Sequence, residues 1–230
     1  MAKTGDKSST GGGRTPLSRD RVLRTAVDLA DTHGIEGLSM RKLAGQLGVD
    51  PMSIYNHVAN KDDLLAGMAD VVVREIEQVD GPAGAWRATV GSQVLAARQT
   101  MLRHPWARAA LERSSEASPA VMAYYDRVAG VLLEGGFSVD LMHHALHVLG
   151  SRLLGFTQEL FDDSAATAQG PEVLALLAHQ MSAQFPNLAK MMLQISHDEA
   201  TVVGSGCNDQ QEFEFGLDLL LDGLDRLASS

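Results

Sequence analysis

Residues 39–65 read SMRKLAGQLGVDPMSIYNHVANKDDLL, and the reading of this stretch decides the fold. Ser39 supplies a capping oxygen; Leu43, Ala44 and Leu47 then share one helix face before Gly48, which tolerates the left-handed turn that stops a helix. Two residues later Asp50 and Pro51 pair a capping carboxylate with a first-turn proline, starting another helix over residues 50–58. In that helix Ile54 and Val58 take the inward i, i+4 face, leaving Pro51, Met52, Ser53, Tyr55, Asn56 and His57 to point outward. Two helices crossing on a tight turn need a small residue at the crossing, a glycine in the turn and an apolar anchor under the second helix. Ala44, Gly48 and Ile54 meet those needs, and the pattern is a helix-turn-helix.

Upstream, Val22, Leu23, Ala26, Leu29 and Ala30 recur at helical spacing over residues 18–33, with Gly34 where a C-terminal cap belongs. Downstream, Asn60 opens a fourth helix with Asp62 and Asp63 in its first turn and a stripe of Leu65, Met68, Val72, Ile76 and Val79. Past Gly81-Pro82 the chain reads as further helices over residues 85–104, 105–113, 119–134, 139–162, 171–184, 186–195 and 210–227, separated by Pro and Gly breaks, with no alternating strand pattern. The expected fold is all-α: a flexible Gly/Ser/Thr/Lys arm (residues 1–17), a helix-turn-helix three-helix domain (18–63) and a larger helical domain (64–230). Lys3, Lys7 and Arg14 of the arm either lie along a DNA groove or are a solvated tail.

The 230-residue chain has a net charge of −10, which taken whole argues against a nucleic-acid partner, because neutralising phosphate needs Lys and Arg. The average hides a division. Residues 1–61 carry nine Lys/Arg against six Asp/Glu, a balance of +3, and the remainder ten against twenty-three, a balance of −13. Only the N-terminal quarter is electrostatically fit to approach DNA. The single cysteine, Cys207, excludes an internal disulfide, and charged residues or histidine interrupt every apolar run short of the ~20 residues of a membrane span. With no apolar leader, the expected compartment is the cytoplasm.

Leu17-Ser18-Arg19, Gly34 to Ala44, Leu47-Gly48-Val49, Ile54 to Val58 and Asn60 to Leu65 together resemble the N-terminal domain of TetR-family repressors. The resemblance covers about a quarter of the chain. It implies that Arg41 reaches a base or phosphate, that Pro51, Met52, Ser53 and Tyr55 face the major groove, and that Tyr55, His57 and Lys61 hold the backbone. The chemistry of the side chains agrees. Arg41 can fork onto guanine or phosphate, hydroxyls suit phosphate oxygens, Met52 offers an apolar face to a thymine methyl, and Lys61 at a helix N-terminus makes a phosphate clamp. Asn56 completes the exposed set, and ordinary surface is the competing reading for each.

The rest of the chain resembles the helical ligand-binding and dimerisation domain of the tetracycline-repressor branch through His104-Pro105-Trp106, Phe185-Pro186-Asn187-Leu188 and Glu212 to Leu217. That likeness implies a homodimer joined by a four-helix bundle, with two heads one DNA turn apart on a palindromic double-stranded operator. The last helix, with Phe213, Leu217, Leu220, Leu221 and Leu224, has more apolar surface than one subunit needs, and Gly150, Ser151 and Gly155 allow another helix to come close. Gln93, Met101, Trp106, Tyr125, His147 and Phe156 combine apolar walls with a few polar tips suited to a small, largely apolar effector, core packing being the alternative for each. Gln93 stands where tetracycline recognition would want an amide, but Leu111 stands where it would want a histidine, so another effector is expected.

His143, His144 and His147 form a tempting cluster, but no carboxylate stands at third-ligand spacing, and the expectation is a pocket or interface rather than a metal site. No cofactor is expected and no enzyme. The rival readings are an interaction module that has lost DNA binding on the same fold and, behind it, a metal-dependent helical-bundle enzyme using His143 and His147. The favoured function is a ligand-responsive DNA-binding repressor whose effector shifts the dimer between two arrangements.

Overall fold

The computed structural model describes residues 16–82, 84–113, 117–155, 171–194 and 209–229. The arm through residue 15, Phe156, Cys207 and the end of the helix expected to reach residue 162 lie outside the described residues. Those described are all helical: α1 Arg19–His33, α2 Met40–Leu47, α3 Pro51–Ile54, α4 Lys61–Arg74, α5 Trp86–Arg103, α6 Ala107–Arg113, α7 Pro119–Glu134, α8 Val139–Gly155, α9 Pro171–Met181, α10 Pro186–Gln194 and α11 Asp209–Ala228, with a 3-10 turn at Ile35–Gly37. They gather into two compact units, Met1–Glu75 with Thr100–Val121, and Ile76–Gln99 with Met122–Ser230. The unit that holds the helix-turn-helix therefore takes in all of α4 and recovers α6 from later in the chain.

In the first unit α1 buries Val22, Leu23, Ala26, Val27 and Ala30, with Val27 where the sequence pattern offered Leu29. Gly67 of α4 lets α1 come close, since a Cβ there would stand 2.7 Å from Leu23 Cδ2. Leu64, Met68, Val71 and Val72 of α4 are buried, whereas Leu65, expected to lead the stripe, is only half-buried. The reason is that α4 packs against both α1 and α6, so a broader sector is covered than one stripe provides. Ala107 and Ala110 of α6, together with Trp106, close this core.

Two expected lengths change. The helix expected over residues 50–58 is a single turn, Pro51–Ile54, followed by a turn through His57. Asn60 must adopt extended backbone to cap α4, and the chain leaves helical geometry in time to reach it; Val58 remains buried all the same. The fourth helix stops at Arg74, so Ile76 and Val79 of the expected stripe follow it in non-helical chain.

In the second unit Trp86, Val90 and Val94 of α5, Val128 and Leu132 of α7, Ala145 and Leu149 of α8, and Phe213, Leu217, Leu221 and Leu224 of α11 form one core. Trp86 meets Phe137 edge to face at 4.7 Å. The guanidinium groups of Arg98 and Arg152 lie 4.3 and 4.9 Å from the Phe213 ring centre. Arg152 also donates to the carbonyls of Glu212 (2.6 Å) and Phe213 (3.2 Å). Burial first, and then the Arg98 charge, hold the Arg152 guanidinium below its ordinary pKa. Phe185 donates its N–H to the Met181 carbonyl (2.8 Å) and joins α9 to α10 as a helical hairpin.

Candidate nucleic-acid interface

The outward surface of the first unit is built by four side-chain caps in succession. Ser18, Ser39, Asp50 and Asn60 each accept a backbone N–H of the helix they open, from Arg21, Lys42, Met52 and Asp63 respectively. Gly48 takes φ 66° and ψ 37°, the left-handed conformation that lets α2 end and α3 begin within three residues. Beneath α3, Ile54 is wholly buried and Val58 nearly so. Their burial fixes which way the rest of the turn faces.

Arg41, Pro51, Met52, Tyr55, Asn56 and Lys61 are exposed, and Ser53 and His57 are half-buried. Met52 keeps 71% of its surface in solvent, an apolar tip among the polar groups of the same turn. Among the described residues Arg41, Lys42 and Lys61 form no ion pair, whereas Arg19, Arg24 and Arg74 of the same unit are paired with Asp63, Asp20 and Asp70. The α2–α3 edge with the start of α4 thus carries cations not spent on neighbouring carboxylates, beside hydroxyl and amide groups.

Arg19 is a contributor that sequence reasoning left without a role. Its guanidinium donates to the His57 carbonyl (2.6 Å) and, with both terminal nitrogens, to Asp63 (2.6 and 3.1 Å). It therefore ties the start of α1 to the turn after α3 and the first turn of α4. That hydrogen bond holds the Asp63 carboxyl below the usual carboxylate range, and the Ala59 N–H, donated to the same carboxylate at 2.7 Å, helps. The signal available was a cation in the first turn of α1, where the helix dipole favours acids.

A second polar knot fixes the far end of the same helices. His104, 7% exposed, sets Nδ1 2.9 Å from both oxygens of Asp31 at the end of α1, and Nε2 3.1 Å from Glu75 Oε2 at the cap of α4. Trp106 donates its indole N–H to Asp31 (2.6 Å). The first unit is thus pinned at both ends of α1 and of α4.

The residues expected to meet an effector are distributed between the units. Met101 packs half-buried on the first core and Trp106 is buried within it. Gln93, buried in the second unit, accepts the Val79 N–H and donates to the Glu77 carbonyl, both at 3.1 Å, and so holds the strap that follows α4. Tyr125 lines a small apolar cavity with Val94, Tyr124, Leu146 and Gly150, and burial raises the neighbouring Tyr124 phenol. His147 is exposed on α8 with its ring 4.6 Å from that of His143. A larger groove of ≈ 560 Å³ runs between α5 and α11, with Trp86, Leu95 and Leu221 among its lining and Glu214, Asp218 and Asp225 also lining it.

Comparison with known proteins agrees with this geometry. Residues 22–68 match the bacterial regulatory proteins of the tetR family, and residues 80–228 match the tetracyclin repressor-like C-terminal domain. The HTH-type transcriptional repressor DrrR1 of Streptomyces coeruleorubidus is 31% identical over 98% of this chain and 83% of its own. The class C tetracycline repressor protein of Escherichia coli is 26% identical over 92% of each chain. The crystal structure of the Streptomyces coelicolor TetR family protein ActR in complex with actinorhodin superposes with a TM-score of 0.71 at 25% identity, covering 94% of this chain and all of that one. The chain belongs to the TetR family of transcriptional regulators, and its DNA-binding element is the helix-turn-helix of α2 and α3. No helix among the described residues is long and apolar enough to cross a membrane.

Proposed function

We propose that the protein is a homodimeric repressor that holds a palindromic operator in the cytoplasm, where bacterial DNA lies, and leaves it when a small molecule binds the second unit. The observation that carries the reading is the pairing state of the cations: carboxylates neutralise the arginines that pin the head, while Arg41, Lys42 and Lys61 remain available to phosphate. Pro51, Met52, Ser53 and Tyr55 face the major groove in this reading, Arg41 reaches a base edge or phosphate, Tyr55, His57 and Lys61 hold the backbone, and Asn56 completes the exposed set.

Phe213, Leu217, Leu221 and Leu224, expected to be surplus to one subunit, are buried in the second unit's own core, and the dimer reading is supported instead by other apolar surface on that unit. Leu219 and Leu227 of α11 are 55% and 62% exposed, Gly223 between them has open space above its Cα, and Val148 and Gly155 are exposed on α8. Helices with this pattern pair closely with a second copy, which sets two heads ~34 Å apart. The effector reading is supported by ActR, which was crystallised with actinorhodin. For this chain Gln93, Tyr125 and His147 are, among the described residues, the members of the expected lining that belong to the second unit, and Met101 and Trp106 belong to the first. Effector binding and operator binding weaken each other, because differential affinity for two arrangements is reciprocal.

Selection of bound sequences from random duplexes by the purified full-length protein, with the best site then titrated against salt, tests this reading. The expected result is an inverted-repeat consensus whose affinity falls by several powers of ten between low and moderate salt. No enrichment over background would overturn it.

A further inference from the structure

We infer that His143 and His147 on α8 form a chelating site for a divalent late transition-metal ion that prefers right-angle coordination, Ni²⁺ or Cu²⁺. The two rings stand one helical turn apart at i and i+4, both exposed, edge to face, with centroids 4.6 Å apart and planes at 74°. Nitrogen ligands from two histidines at this spacing on one helix can reach the same ion.

The donors select the ion: imidazole nitrogens suit late first-row divalent ions, among which Cu²⁺ and Ni²⁺ stand high in affinity. A metal held at about 2.1 Å by one nitrogen of each ring lies about 3.2 Å from each ring centre. Ring centres 4.6 Å apart are close enough for both to lie at that distance from one ion. Both side chains are exposed, so each ring can turn a nitrogen towards the ion without moving the helix, and tetragonal and octahedral ions take two such ligands in adjacent positions.

Among the described residues no third His, Cys, Asp or Glu joins the pair, so water or another small donor takes the remaining positions. His144 is a built-in control. It is exposed and neighbours the pair, but it lies about 100° round the helix from His143, and its own nearest acid is Asp140 at 3.9 Å. Val148 and Gly155, assigned above to pairing with a second copy, lie a similar angle or less away from His147, so the pair stands at the edge of that surface rather than at its centre.

Calorimetric titration of Ni²⁺ into the tag-free, full-length protein, stripped beforehand with a chelator, tests the site. The expected result is one ion per chain with micromolar affinity, weakened at least tenfold by His147→Ala and by His143→Ala and unchanged by His144→Ala, with Zn²⁺ binding more weakly than Ni²⁺. His147→Asn, which keeps a polar surface side chain, repeats the loss if chelation is the cause, and circular dichroism checks that each variant keeps its helices. Absence of a saturable site, or an equal loss with His144→Ala, overturns the inference. Operator binding is measured separately, so either outcome leaves the repressor reading to stand or fall on its own test.

Discussion

The two units solve the same problem, covering apolar helices, by different means. In the first, polar side chains finish the work locally: every helix from α1 to α4 opens on a capping oxygen, Arg19 and Asp63 knot one end, and His104, Asp31, Glu75 and Trp106 knot the other. Its large exposed apolar side chains among the described residues are Met52, Tyr55 and Leu102, and two of these lie on the reading turn or just after it. The second unit leaves Met122, Val139, Val148, Leu176, Phe185, Phe215, Leu219 and Leu227 exposed. A region whose polar bonds close on themselves keeps its shape alone, whereas one that leaves apolar faces open takes its final form from whatever covers them.

Four experiments break or sharpen that contrast. The largest effect falls on the head's anchor. Ile54→Ala removes a wholly buried side chain under the reading turn, and thermal melting should show a loss of about 3 kcal/mol. Next is the open surface of the second unit: Leu219→Asp combined with Leu227→Asp should convert the dimer to a monomer in sedimentation without unfolding it. With each head binding alone, operator affinity should drop about 100-fold.

A smaller change is expected from Arg41→Ala, which spends no intramolecular bond. Fluorescence anisotropy should give about tenfold weaker operator binding and a log–log salt slope shallower by about one. The smallest effect belongs to Asp63→Asn. Arg19 depresses the folded-state pKa of Asp63, so this carboxylate contributes stability above the ordinary carboxylate range that is lost as pH falls through the lower folded value. The variant should therefore flatten the acid limb below about pH 4, by at most ~1 kcal/mol because the pair is partly exposed. An unchanged acid limb would show that the Arg19 knot is not a stabilising one.

What was legible in the sequence follows from range. Caps, the Gly48 turn and the Ile54–Val58 anchor involve residues within four positions of one another, and pattern reading finds them because local chemistry determines them. The reading failed by a few residues where a local rule met a longer-range demand, as when the cap at Asn60 shortened the helix begun at Pro51. It offered Trp106 as an aromatic wall but had no means of showing that its N–H is taken by Asp31, 75 positions earlier. Nor could it show that Gln93 spends both ends of its amide on the backbone at Glu77 and Val79. Side chains committed across the chain are invisible to periodicity, and the effector-lining set is where such commitments matter most.

The single turn of α3 sets a limit on information. Four residues, one of them buried, joined by Tyr55 just beyond the turn and Arg41 from α2, present few side chains, enough to distinguish about 3–4 base pairs per half-site. Two such half-sites specify roughly 6–8 base pairs, which recur by chance about once in every 10⁴ base pairs and so hundreds of times in a bacterial chromosome. A regulator with so short a reading turn cannot find one address from base edges alone. The remaining discrimination has to come from how readily the DNA between the two half-sites bends to meet both heads.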